Sequence, residues 1–257
     1  SDDVPLKLRV LREAYRIKGH SGYPLETEQD WRRMIARYWG LCSLVDTQVG
    51  RILDTLHQLG LDENTIVVFT SDHGDMMGSH GLLAKCVMYE EAVRVPWIMR
   101  LPGQTQGRRI KGPISQIDMA PTLLDLMNAD IPAHLPGKSK TDWLRQDGPD
   151  RIEEDVFIEW NGPNSGIIGE KAGNFRVPEK FRNEISPEEL SGSVTDPIRT
   201  IVTADGWKFN RSTRGEHELY DLNSDPGETR NLAFNPEQQN RIKELSKRID
   251  TWIREKS

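Results

Sequence analysis

The 257 residues contain no stretch of 18 or more consecutive apolar residues, so none reads as a membrane-spanning helix. Cysteine is scarce: Cys42 and Cys86 are the only two, too few for a disulfide framework, and their spacing leaves a single bridge between them open. Positive charge is not in excess either. Lys and Arg number 34 against 40 Asp and Glu, and a net charge of −6 argues against a general nucleic-acid or acidic-surface binder. The local cluster Arg108-Arg109-Ile110-Lys111 reads as a solvated loop. No internal repeat is evident, and no N-terminal signal pattern is visible. In a chain that begins within a longer protein that absence excludes nothing, so the compartment is left open. With 36% apolar and 29% charged residues, the chain is long enough to bury a core as one large domain or as a domain with a subdomain.

The most informative run is Thr65-Ile-Val-Val-Phe-Thr-Ser-Asp-His-Gly74, an apolar segment leading straight into an Asp-His pair. It reads as a strand buried on both faces, as in a parallel sheet, and ligands collect just past the carboxyl ends of such strands. Asp72 offers carboxylate oxygen and His73 imidazole nitrogen, both metal-ligand types, and Gly74 permits a tight turn. Alone, the tripeptide is a weak signal, better read as a turn in which Asp72 bonds nearby amides.

Residues 1–30 are polar, with Gly19, Gly22 and Pro24 as breakers, and read as an irregular connection. From Trp31 to Leu59 apolar residues recur every three or four positions, predicting a long helix whose stripe holds it to a sheet, with Gly60 at its end. A short helical turn pairing Glu90 with Arg94, a strand over 95–101 and a helix capped by Asp118 follow. Past residue 130 the chain becomes rich in Pro and Gly, which divides it into parts 1–150 and 151–257. The tract 161–197 reads as loop. Strands are expected over 156–160, 198–203, 207–209 and 219–222, with a hairpin at Asp205-Gly206 and a terminal amphipathic helix begun by Asn235-Pro236. The expected fold class is therefore α/β, a layered sheet with a C-terminal α+β antiparallel subdomain.

Beyond Asp72-His73-Gly74 the chain continues Asp75-Met-Met-Gly-Ser-His-Gly-Leu-Leu-Ala-Lys85, then Tyr89-Glu-Glu-Ala-Val-Arg-Val-Pro96. Far downstream stands Leu219-Tyr-Asp-Leu-Asn-Ser-Asp-Pro-Gly-Glu-Thr-Arg-Asn-Leu232. In these two segments, over roughly residues 30–257, the chain resembles the sulfatase family of the alkaline-phosphatase superfamily. The resemblance implies the family's layered α/β fold and metal-dependent hydrolysis of sulfate esters, small or carbohydrate.

It also implies roles. Asp72 and His73 would bind a divalent metal; Lys85 would bind the sulfate or leaving oxygen and act in catalysis, and His80 would either reach the substrate as a second catalytic residue or make a structural hydrogen bond. Calcium is the family expectation, but many relatives carry Asn where His73 stands, and imidazole admits Mn or Zn, with Mg a further alternative. Glu90, Glu91 and Arg94 read as scaffold, and the Asp221 and Asp225-Pro226-Gly227 region as turn chemistry.

The family's formylglycine motif, Cys-x-Pro-x-Arg or Ser-x-Pro-x-Arg, is not found: Cys42 is followed by Ser-Leu-Val-Asp, Cys86 by Val-Met-Tyr-Glu, and no serine fits. Nor does an Asp-Asp pair end an apolar strand, since Asp2-Asp3 stands in a polar N-terminus. The expectation is a C-terminal portion of a longer protein, inactive alone, with formylglycine upstream and a Gly74–Lys85 loop that needs metal charge to order it. A phosphonate or phosphodiester hydrolase of the same superfamily, and a degenerate binding domain, are the alternatives. The oligomeric state is not readable.

Overall fold

The computed structural model describes residues 4–19, 25–161 and 177–256. The chain forms two compact units, one of Leu6–Gly107 with Ile168–Val194, the other of Ser1–Pro5, Arg108–Ile167 and Thr195–Ser257.

The first unit begins with a helix, α1 (Leu6–Lys18), where the sequence led us to expect irregular chain. Leu6, Val10 and Ala14 repeat every four residues and are buried; the breakers Gly19, Gly22 and Pro24 all lie beyond the helix. Leu6 and Val10 pack with Phe181 and Leu190. Those partners come from two further helices, Glu179–Glu184 and Pro187–Val194, which replace the loop expected over 161–197. Residues 162–176 of that tract, like Gly22, Pro24 and Asp2-Asp3, lie outside the described residues.

The long helix, α2 (Glu28–Gln58), is defined locally at both ends. A reciprocal Thr27–Asp30 capping box starts it, and Gly60 follows it at φ +65°. Its apolar stripe is not held to a sheet as expected. No residue of α2 is buried, and Trp39 is 69% exposed and Ile52 67% exposed.

The strand leading to Asp72 is β1 (Val67–Thr70). It pairs antiparallel with β2 (Trp97–Arg100), with Val67 opposite Arg100 and Thr70 opposite Trp97. Burial on both faces is not observed: Phe69 and Ile98 are exposed, because among the described residues this sheet has only two strands. The turn before β2 is helical as expected, over α3 (Glu90–Val93), with Glu90 and Arg94 paired at 3.8 Å.

The second unit carries two helices, α4 (Met119–Leu126) and α5 (Thr141–Leu144), and a four-stranded meander. Asp118 does not cap α4 with its side chain. That carboxylate accepts from the Lys138 amide at 2.9 Å and lies 3.6 Å from the buried Lys140 ammonium, which also meets Glu154 at 2.7 Å.

The meander runs β3 (Val156–Trp160), β4 (Ile198–Val202), β5 (Trp207–Ser212) and β6 (Glu218–Asp221), each antiparallel to the last. Numbering the helices in chain order, Glu179–Glu184 is α6, Pro187–Val194 is α7, and the terminal Gln239–Lys256 is α8. One face of the meander, with Ile201, Phe209 and Leu219 all at 0% exposure, packs on Ile242, Leu245 and Ile249 of α8. Each such side chain contributes about 1.5–3 kcal/mol on burial. The opposite face is buried yet polar. Lys208 meets Glu228 at 2.8 Å with both side chains fully buried, Thr200 donates to Asn210, and Asn210 and the Tyr220 hydroxyl donate to Glu218.

The downstream sequence signature is indeed turn chemistry. Asp225 accepts from the amides of Thr229 and Arg230, and Asn231 accepts from those of Leu219 and Ala233. Both cysteines are free, and among the described residues no helix is long and apolar enough to cross a membrane.

Candidate active site

Past the end of β1, Ser71 donates its hydroxyl to the His73 carbonyl at 2.8 Å, folding the chain back at once. The His73 amide donates to Asp72 at 3.0 Å, and this bond, ahead of all other influences, holds the exposed Asp72 carboxyl below its ordinary pKa. Asp72 is therefore a carboxylate at neutral pH.

His73 is oriented from its other side. Its Nδ1 lies 2.7 Å from the Gly74 carbonyl, which can only accept, so Nδ1 carries the proton and Nε2 presents a lone pair. Asp72 Oδ2 lies 3.3 Å from that Nε2, and the Lys85 ammonium donates to it. The two predicted metal ligands and the predicted sulfate-binding lysine thus converge on one small volume.

Gly74 is required by proximity more than by turning. A Cβ there would stand 1.9 Å from the Glu91 carbonyl oxygen, and the Gly74 amide donates to Ala92 at 2.9 Å. The Asp-His corner is thereby fastened to α3.

The loop from Asp75 to Lys85 is laced by bonds of its own. Asp75 accepts from the amides of Met77 and Ala84, Met76 donates to Ala84 at 2.8 Å, and Gly78 donates to Leu82 at 2.9 Å. Met76, Leu82 and Leu83 are buried beneath it. Gly78, at φ +101°, brings the Trp31 ring within 3.1 Å of where a Cβ would be.

His80 sits in the turn Ser79–Gly81, where its ring lies flat on Tyr89 with centroids 3.8 Å apart and planes 6° from parallel. Sequence reasoning missed Asp75 as an organiser of the loop and missed α1 altogether. The signal for α1 was the four-residue repeat Leu6, Val10, Ala14.

Residues 13–129 match the sequence pattern of the Sulfatase family. That segment is sulfatase-family sequence. Bovine (Bos taurus) arylsulfatase K is 28% identical over an alignment of 238 residues that covers 88% of this chain and 39% of that protein. A solved 2-O GAG sulfatase superposes with a TM-score of 0.73 at 26% identity, covering 100% of this chain and 51% of that one. The phosphonate monoester hydrolase of Agrobacterium radiobacter shares the fold, with a TM-score of 0.75 at 22% identity over 99% of this chain and 51% of that one. This sulfatase-like chain spans about two-fifths of the length of its curated relative and about half that of the solved structures.

The sulfatase family implies a divalent metal and a formylglycine. Asp72 and the lone pair of His73 Nε2 suit a divalent cation as oxygen and nitrogen donors. Among the described residues no group of three or more His, Cys, Asp or Glu forms a metal site, so these two furnish part of a ligand set.

Proposed function

We propose that this chain supplies one side of the active site of a metal-dependent sulfuric ester hydrolase acting on a small-molecule or carbohydrate sulfate ester. The observation that carries the reading is the convergence of Lys85 with His73 and Asp72, three residues drawn from the sulfatase-like segment. Residues 1–150 supply the site in this reading, and residues 151–257 the antiparallel sheet and terminal helix.

Asp72 and His73 would hold the metal. Calcium is the family expectation, the imidazole of His73 admits Mn or Zn, and Mg is a further alternative. When bound, the metal supplies positive charge that holds and orients anionic groups. Lys85 would place its ammonium on a sulfate or leaving oxygen, where negative charge grows as the S–O bond breaks. His80 would face the substrate as a second polar group, its ring fixed by Tyr89. These residues carry no formylglycine motif, so hydrolysis belongs to a protein that joins this chain to a nucleophile.

The test compares an aryl sulfate with a phosphonate monoester as substrates of that complete protein. Sulfate hydrolysis should dominate, and both Lys85→Ala and Asp72→Ala should lower it by about 100-fold or more. Preferential phosphonate hydrolysis would favour the alternative within the superfamily. Undiminished rates in both variants would remove these residues from the site.

A further inference from the structure

The arm that carries Lys85 is gripped on both sides by one helix. On the N-terminal side, Arg12 Nε of α1 donates to the His80 carbonyl at 2.7 Å. The Arg12 stem fills the place a Cβ on Gly81 would take, with Cγ at 3.0 Å from it. On the C-terminal side, Lys7 Nζ donates to the carbonyl of Cys86, the residue next to Lys85, at 3.0 Å. Lys7 is 8% exposed, and its own amide donates to Ser193 at 3.0 Å, so the grip is fixed from behind.

Lys7 and Arg12 are five positions apart, about 7.5 Å along the helix axis. The segment between their two carbonyls needs such restraint. His80, Ala84 and Cys86 hold φ of 55°, 57° and 76°, a left-handed conformation that non-glycine residues adopt only when their surroundings impose it. A free loop would relax from it, and the Lys85 ammonium would move with the backbone.

We propose that Lys7 and Arg12 are positioning residues for the sulfate site: α1 clamps the two carbonyls flanking Lys85 and so sets where its ammonium stands. The inference rests on the reading of Lys85 as an anion-binding residue. Neither clamp residue touches substrate; they act through the backbone of the lysine that does.

The experiment titrates the 257-residue chain with inorganic sulfate by calorimetry and, where Lys85 is present, follows its side chain by NMR. The unsubstituted chain should bind sulfate, and Lys85→Met should abolish the response. Arg12→Met and Lys7→Met, which keep an apolar stem and remove the donor, should each weaken sulfate binding by about tenfold, the size expected for loss of a charged hydrogen bond. Arg12→Lys should recover most of the Arg12→Met loss. A purely structural role would lower the thermal midpoint of these variants and leave sulfate affinity alone.

Folded Arg12→Met and Lys7→Met chains with affinity unchanged to within about twofold would overturn the clamp. So would unaltered hydrogen exchange at the Gly81 and Leu82 amides in Arg12→Gln, the milder loss of the charged donor kept should Arg12→Met not fold. An unsubstituted chain that ignores sulfate, or binds it equally well with Lys85→Met, would defeat the sulfate-site reading itself and the clamp with it.

Discussion

The ammonium of Lys85 donates to Nε2 of His73, the ring nitrogen whose lone pair the Gly74 carbonyl leaves available on the other side of the ring. The lone pair that would serve a metal is therefore the one to which this lysine donates.

Lys85 and a divalent cation must then compete for His73. Lys85→Met removes both the competing donor and a like charge, so Mn2+ should bind the chain more tightly, by about three- to tenfold. Calorimetry or paramagnetic broadening of the His73 ring signals would measure this. Weaker Mn2+ binding in the variant would mean that Lys85 supports the metal and does not oppose it.

Gly74→Ala should destabilise the chain by about 2 kcal/mol or more, since the added methyl meets a backbone carbonyl at 1.9 Å and overpacking typically costs about 1–3 kcal/mol. Urea unfolding measures the loss. A variant of unchanged stability would show that the Asp-His corner can move off α3 freely.

Removing one member of the Lys208–Glu228 pair strands a fully buried charge. Lys208→Met should cost about 3–5 kcal/mol, and Lys208→Met with Glu228→Gln should recover a large part of it. Strict additivity in this double-mutant cycle would show that the two groups do not depend on each other.

His217 provides the pH dependence. Burial, followed by the Arg211 charge, lowers its pKa, and its Nδ1 accepts from the Ser212 amide at 3.2 Å. The neutral ring is the one the fold binds. The unfolded chain takes up a proton near pH 6.5 while the folded one does not, so stability should fall as pH drops below about 6.5. Urea midpoints at neutral and acidic pH, in wild type and His217→Gln, would show it; equal pH dependence in both would exclude His217 as the source.

Leu41 on α2 is 60% exposed and Leu245 on α8 is 1% exposed. In this chain Leu41→Ala should change stability by no more than about 0.5 kcal/mol, whereas Leu245→Ala should cost about 2–5 kcal/mol. A large cost at Leu41 would mean that α2 is covered in solution.

Which parts of this were legible in the sequence follows from how local each signal is. The meander and α8 were readable because alternation, the Asp205-Gly206 turn and the Ile242, Leu245, Ile249 spacing are all short-range patterns. The convergence of His73 with Lys85 was legible only through a family resemblance, since nothing in a twelve-residue separation specifies contact. The buried polar face around Lys208 was invisible, because alternation normally sends such residues to solvent. The stripe of α2 was legible as a helix, yet its environment was not: periodicity says which side is apolar and nothing about what meets it.

The union of α1 with α7 imposes an order on the making of this protein. The Lys7 amide and the Ser193 hydroxyl that it bonds are 186 residues apart, and Leu6 and Val10 pack against side chains from α6 and α7. A ribosome releases α1 well before α6 and α7, so the surface that buries it does not yet exist when it emerges. Contacts of such span form slowly, because a long loop must close before they repay its entropy. The helix that grips the Lys85 arm is made before that arm, yet it finds its place only after α6 and α7 have followed.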